Sequence, residues 1–174
     1  MGYRLRCLQS EQQVGGLKAE ARTMARGVHP IRQNTSFALA KVCKAHRTYI
    51  GELLAGHGLH VGQEMVLVEL WQDDGLRGGD LADRLGVEPP TITKMLRRLE
   101  SCGLVERRAD QEDARSLRVY LTGRGRALEE SVLRCWERAE QTVLAGMNAR
   151  DRQIFRMLLD RVKANLDRGF GVGQ

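Results

Sequence analysis

The sequence predicts a mainly α fold with a small β-wing: a winged helix-turn-helix domain flanked by N- and C-terminal helices. Three observations carry that prediction. Hydrophobic residues make up 42% of the 174 but aromatics only 5%, which favours an aliphatic, helix-rich core over a sandwich. Within residues 78–125, two short amphipathic stretches are followed by two alternating ones, the order of a helix-turn-helix and a hairpin. Basic residues also concentrate there: residues 91–126 hold nine against five acidic, whereas residues 31–90 hold six against eight. That placement is the footprint expected for a polyanion partner. A generally solvated charged surface explains the total of +6 but not its location.

Residues 1–30 show no sustained periodicity and hold five basic and two acidic residues. They are expected to form a flexible basic arm with a short helix over 17–24, either touching phosphates or serving as a solvated tail. Residues 31–54 predict one long helix, with Leu39, Val42, Cys43, His46, Ile50 and Leu53 on one face and Gly56 and Gly58 ending it. Residues 63–72 predict a second helix, buried through Met65, Val66, Leu67, Leu70 and Trp71. Asp73, Asp74 and Gly75 mark a turn, and Leu76 with Arg77 suits a short strand at the base of the wing.

Leu81, Ala82 and Leu85 recur at helical spacing until Gly86. Val87 and Glu88 turn the chain, since a residue before proline is pushed toward extended conformations. Pro89 and Pro90 suit the first turn of a helix, where missing N–H groups cost nothing. Ile92, Met95, Leu96 and Leu99 form its apolar stripe and leave Thr91, Thr93, Lys94, Arg97 and Arg98 off it. Gly103 ends that helix. Residues 104–108 and 117–121 alternate as two strands around a polar loop.

Thr122 suits the N-cap of a long helix reaching about residue 145, with the stripe Leu128, Val132, Trp136, Ala139 and Val143. Gly146 breaks it, and Asn148 caps the last helix, along which Ile154, Leu158, Val162 and Leu166 repeat. Three amphipathic helices thus flank a small winged domain, and their stripes need a partner. That partner is either a second subunit or a monomeric helical cap.

The run LADRLGVEPPTITKMLRRLESCGLVERR, then D-x-R at Asp113 and Arg115, then VYLTGRGRAL leading into a helix, resembles the MarR (multiple antibiotic resistance regulator) family of winged-helix transcription regulators. The looser similarity extends upstream through HGLHVGQEMVLVELW and downstream to about Leu166, so it covers most of the chain. The order and spacing of the pieces carry it more than any one motif. Glu88 stands where Ser is common, and Gly123 replaces the usual charged residue; neither removes a DNA-contacting position. The resemblance implies a homodimeric regulator of double-stranded DNA, a repressor released by a small-molecule effector, with a palindromic operator. It divides the chain into an arm (1–30), a dimerisation helix (31–60), the winged domain (61–122), C-terminal dimerisation helices (123–168) and a tail (169–174).

A helix-turn-helix lays its second helix in the major groove, where base edges are distinguishable. Pro90, Thr91, Thr93 and Lys94, near the start of that helix, are the candidates for base contact. Arg97 and Arg98, a turn later, suit the phosphate backbone. Thr91 otherwise reads as an N-terminal cap, and Arg98 as a solvated helix face. By the resemblance, Arg115 enters the minor groove, where negative potential favours a guanidinium. Asp113 then orients Arg115 or pairs with Arg97; otherwise the two form a loop-tip salt bridge. Arg107, Arg108 and Arg118 are expected beside phosphates.

The resemblance also implies an aromatic effector or an oxidant acting between the dimer helices and the winged domain. His46, Tyr49, Leu53 and Trp71 are the candidate effector residues. Cys43 is the candidate redox thiol, with Lys41 and Lys44 nearby, although its place on an apolar stripe favours a buried, inert cysteine. His46, His57, His60 and Glu64 cluster in sequence, a weak zinc pattern against which surface or capping histidines are the plainer reading; no metal is expected.

No apolar run approaches the roughly 20 residues of a membrane span, and the N-terminus lacks the apolar core of a secretory signal. The expectation is a cytoplasmic protein with no membrane partner. Cys7, Cys43, Cys102 and Cys135 lie far apart, so reduced thiols are expected. With no nucleophile–base pairing and no phosphate-cradling glycine loop, neither an enzyme nor a cofactor is expected. The main rival is a winged helix used for protein contact. The basic bias of residues 91–126 argues against it, because interface cores are depleted of charge. Nonspecific duplex or RNA binding differs from operator reading in that only a specific binder loses operator preference on Arg115→Ala.

Overall fold

The computed structural model describes residues 29–110 and 116–171, with side chains to 169. The expected helix over 17–24, most of the basic arm, Cys7, Asp113, Arg115 and residues 172–174 lie outside them. The chain forms two compact units, Met1–Ala45 and His46–Gln174.

The described part of the first unit opens with a 3-10 helix, Pro30–Gln33, whose first turn is capped by His29: its Nδ1 accepts from the Ile31 N–H at 3.3 Å. Asn34 is extended (φ −75°, ψ 132°), so helix α1 (Thr35–Ala55) begins at Thr35 rather than at Ile31 as expected. Proline at the first position fixes a short entry turn, and the chain must leave it before α1 can start. Of the expected stripe along α1 only Ile50 is buried, with Leu53 half-buried and its neighbour Leu54 taking the inner position. Cys43, expected to be buried there, is exposed.

In the second unit, α1 ends in a left-handed Gly58 (φ 73°), with the Leu59 N–H returning to the Leu54 carbonyl at 3.2 Å. Helix α2 (Gln63–Gln72) matches its expected bounds and buries Val66, Leu67 and Leu70. Helices α3 (Gly78–Leu85) and α4 (Pro89–Ser101) form the helix-turn-helix. Strands β1 (Leu76–Arg77), β2 (Val105–Ala109) and β3 (Leu117–Leu121) make one antiparallel sheet in the order β1-β3-β2. The short third strand expected at the wing base is therefore present, with Leu76 opposite Val119. Leu81 and Ala82 of α3, Ile92, Leu96 and Leu99 of α4, and Val105, Val119 and Leu121 of the sheet close one core with α2. Each fully buried Leu or Ile contributes about 1.5–3 kcal/mol, so the helix-turn-helix is held by the same apolar cluster that anchors the wing.

The single helix expected from Thr122 to about residue 145 is two. Thr122 does cap, its Oγ1 accepting from the Gly125 N–H at 3.0 Å, but α5 (Gly123–Ala127) gives way at Leu128 to α6 (Glu129–Val143). Leu128 keeps helical dihedrals, but its N–H donates to the Gly125 carbonyl at 3.4 Å. Gly125 is itself buried against the residue just before β2, where an added Cβ would lie 2.1 Å from the Leu104 carbonyl oxygen. On α6 the buried residues are Val132, Cys135 and Ala139; Val143, expected on the stripe, is exposed and Cys135 takes the inner position.

Helix α7 (Ala149–Gly171) starts where expected, with Asn148 Oδ1 accepting from the Asp151 N–H at 3.0 Å. Its repeat of Ile154, Leu158, Val162 and Leu166 is exposed in the single chain. Among the described residues no helix is long and apolar enough to cross a membrane.

Candidate nucleic-acid interface and effector cleft

The turn between α3 and α4 is built from backbone constraints. Gly86 takes the left-handed conformation (φ 61°, ψ 40°), and the Val87 N–H returns to the Ala82 carbonyl at 3.0 Å. Glu88 is the extended N-cap residue and makes no side-chain cap, while Pro89 opens α4. With Ile92, Leu96 and Leu99 buried, the opposite side of α4 faces outward. Pro90, Thr93, Lys94, Arg97, Arg98 and Ser101 share that surface, and Thr91 is exposed beside them. The Thr93 hydroxyl donates to the Pro89 carbonyl at 2.8 Å, and the residue is exposed. Among the described residues, Lys94, Arg97 and Arg98 make no ion pair.

The wing arginines are placed differently. Asp110, nearly fully buried, accepts from Arg77 Nε at 2.8 Å and Nη2 at 2.6 Å, and lies 3.0 Å from Arg118 Nε. Its backbone N–H donates to the Ser116 carbonyl at 2.9 Å, which closes the base of the loop that carries Asp113 and Arg115. Arg118 Nη1 also donates to the Gly75 carbonyl at 3.0 Å. Arg107 pairs with Glu100 at 3.4 Å. Arg108 pairs with Glu106 and lies over the Tyr120 ring, 4.7 Å from its centre. Arg107 thus ties the wing to α4 and Arg118 ties it to Gly75, while Arg108 is held within the wing by Glu106 and Tyr120. Sequence reasoning singled out Asp113 and missed Asp110.

A second feature lies between α2 and α6: an open apolar cleft of about 470 Å³ lined by Met65, Val68, Trp71, Gln72, Glu129, Val132, Leu133 and Trp136. Trp71 is fixed by its Nε1–H, which donates to the Gly125 carbonyl at 3.1 Å. Of the four expected effector residues, Trp71 lines this cleft. The His46 ring lies 5.8 Å from that of Trp136, the Tyr49 hydroxyl is 3.1 Å from Thr142 Oγ1, and Leu53 packs against the core.

His57 and His60 are exposed. Glu64 is buried, accepting from the Gly62 N–H at 2.6 Å. Burial pushes its carboxyl above the ordinary range, against the lowering effect of its backbone hydrogen bonds and of Arg47. No group of three metal-ligating side chains gathers among the described residues.

A three-stranded wing behind a helix-turn-helix whose outer face bares Lys94, Arg97 and Arg98 defines a winged helix-turn-helix DNA-binding regulator. The chain belongs to the MarR family of such transcription regulators, whose family model matches residues 59–117. It is 32% identical over 126 residues to the HTH-type transcriptional repressor Rv2887 of Mycobacterium tuberculosis, a match covering 72% of this chain and 91% of that protein. It is 37% identical over 93 residues to the HTH-type transcriptional regulator TtmR of Methylorubrum extorquens, covering 53% of this chain and about half (48%) of that one. Among solved structures, the crystal structure of MarR superposes with a TM-score of 0.69 at 27% identity, covering 84% of this chain and 99% of that one.

Proposed function

We propose that the chain is a homodimeric, sequence-specific repressor that reads a roughly palindromic duplex operator and is released by a small-molecule effector in the cytoplasm. The observation that carries this reading is the outer face of α4. Pro90, Thr91, Thr93 and Lys94 lie at its leading end for base edges, and Arg97 and Arg98 follow for phosphates. Among the described residues these three cations make no ion pair, whereas the cations of the wing base are tied to acids. Arg115, at the loop that Asp110 closes, is assigned to the minor groove, with Asp113 orienting it. Arg118 is assigned first to the wing base and only through it to DNA.

The exposed apolar repeat of α7 supports dimerisation through the helices of 31–60 and 123–168, around a DNA-reading domain of 61–122. Repression follows from occupying a promoter, and the relative Rv2887, a transcriptional repressor, is consistent with it. The effector reading rests on the α2–α6 cleft. A second reading, an oxidant acting at Cys43, is favoured by the exposure of that thiol.

Selection of random duplex DNA on the purified protein, repeated at several salt concentrations, tests the proposal. The expected result is a palindromic consensus with half-sites about one helical turn (~10 bp) apart. Retention of only salt-labile, nonspecific DNA, or of none, would move the weight to the protein-contact reading.

A further inference from the structure

Inside the α2–α6 cleft the charge has one sign. Its walls are apolar and aromatic: Met65, Val68 and Leu133 are exposed to solvent at 39%, 37% and 55%, and Trp71 and Trp136 are the two tryptophans of the chain. Apolar surface left open together in this way marks a contact site. The polar groups on its lining are the Gln72 amide and the Glu129 carboxylate, and among the described residues no Lys, Arg or His lines it. Among the described residues Glu129 makes no ion pair.

An aromatic carboxylate entering here would lose its hydration, meet no cation and face Glu129. A positive ligand meets the carboxylate and the indole faces together.

We propose that this cleft binds a lipophilic aromatic cation, a quaternary ammonium or phosphonium bearing several rings, with Glu129 as its counter-ion. Its volume of about 470 Å³ lies within the ~300–1,000 Å³ of small-molecule sites. The chain as a whole carries +6, so long-range attraction disfavours a cation and the preference must come from the cleft itself. Only the consequence for DNA rests on the regulator reading. A ligand wedged between α2, which packs under the helix-turn-helix, and α6, which belongs to the flanking helices, changes how the two recognition helices are spaced, and so favours the free dimer.

Tetraphenylphosphonium and tetraphenylborate are near-isosteres of opposite charge, and both tryptophans of the full chain report on the cleft. Titration followed by tryptophan fluorescence is expected to show saturable quenching by the phosphonium, with an affinity at least about tenfold above that of the borate. Glu129→Gln, a change at an exposed position, is expected to remove that preference while thermal unfolding stays in place. Equal or tighter binding of the borate, no saturable quenching, or a preference unmoved by Glu129→Gln would overturn the proposal.

Adding the phosphonium to the protein on its selected operator separates the two claims. Binding without DNA release leaves the cleft assignment standing and contradicts the effector reading. Failure to bind DNA at all contradicts the regulator reading and leaves the fluorescence result intact.

Discussion

Gly125 sits where α5 passes over the start of β2, and a Cβ there would lie 2.1 Å from the Leu104 carbonyl oxygen. That oxygen already accepts from the Thr122 N–H at 3.0 Å and the Thr122 hydroxyl at 3.2 Å, so it has little room to yield. Gly125→Ala is expected to cost about 3 kcal/mol, read as a fall of roughly 6–12 °C in Tm; an unchanged Tm would show that α5 can move. Glu64 makes a different single-residue prediction. Its folded-state carboxyl titrates above the ordinary range because it is buried, so over that interval the folded chain holds more protons than the unfolded one. Stability therefore falls as pH rises from the ordinary glutamate range to the folded value, and the penalty persists above it. Glu64→Gln keeps an acceptor for the Gly62 N–H and is expected to flatten that part of the stability–pH profile, measured by denaturant unfolding across pH. A profile identical to the parent's would contradict the assignment.

At the scale of elements, α2, α4 and β3 were legible in the sequence because each announces itself locally: periodicity, a Pro-Pro start, alternation between turn residues. The start of α1 and the division of α5 from α6 were not. Asn34 breaks away because the 3-10 turn before it closes on itself, and the helix divides at Leu128, three residues after Gly125 packs onto Leu104. Neither contact is visible in a one-dimensional pattern. The same limit hid Asp110. Arg77 lies directly opposite Arg118, and Arg108 opposite Arg118 on the other side, a cross-strand stack of like charges that is unfavourable without an acid among them. The need for that acid depends on strand register, which the sequence leaves open, so attention fell on the D-x-R pair instead. Asp110→Ala is expected to lower stability by about 1–3 kcal/mol, less than a fully buried pair because the arginines are partly solvated. It is also expected to weaken operator binding, measured by fluorescence anisotropy, because the loop bearing Arg115 loses its base. Unchanged Tm and unchanged affinity together would remove Asp110 from that role.

For the whole molecule, family membership was readable, and so was the outer face of α4 that is proposed to meet DNA, since it is defined by the apolar stripe behind it. The α2–α6 cleft was only partly readable. Trp71 belongs to it, but its partners Glu129, Leu133 and Trp136 come from a helix far along the chain. The exposed stripe of α7 bears on assembly. Leu158→Glu together with Val162→Glu is expected to convert a dimer into a monomer by sedimentation and to abolish operator binding; a variant that stays dimeric would place the subunit contact elsewhere. The central claim, that α4 reads base sequence with unpaired side chains, is tested most directly by one comparison. The affinities of the parent and of Lys94→Ala and Arg97→Ala for the selected operator and for a scrambled duplex are measured across a range of salt. Lys94→Ala is expected to narrow the operator-to-scrambled ratio by about 1–3 kcal/mol, whereas Arg97→Ala is expected to weaken both duplexes alike and to lower the salt slope by about one. Parent-like ratios and slopes in both variants would contradict that claim.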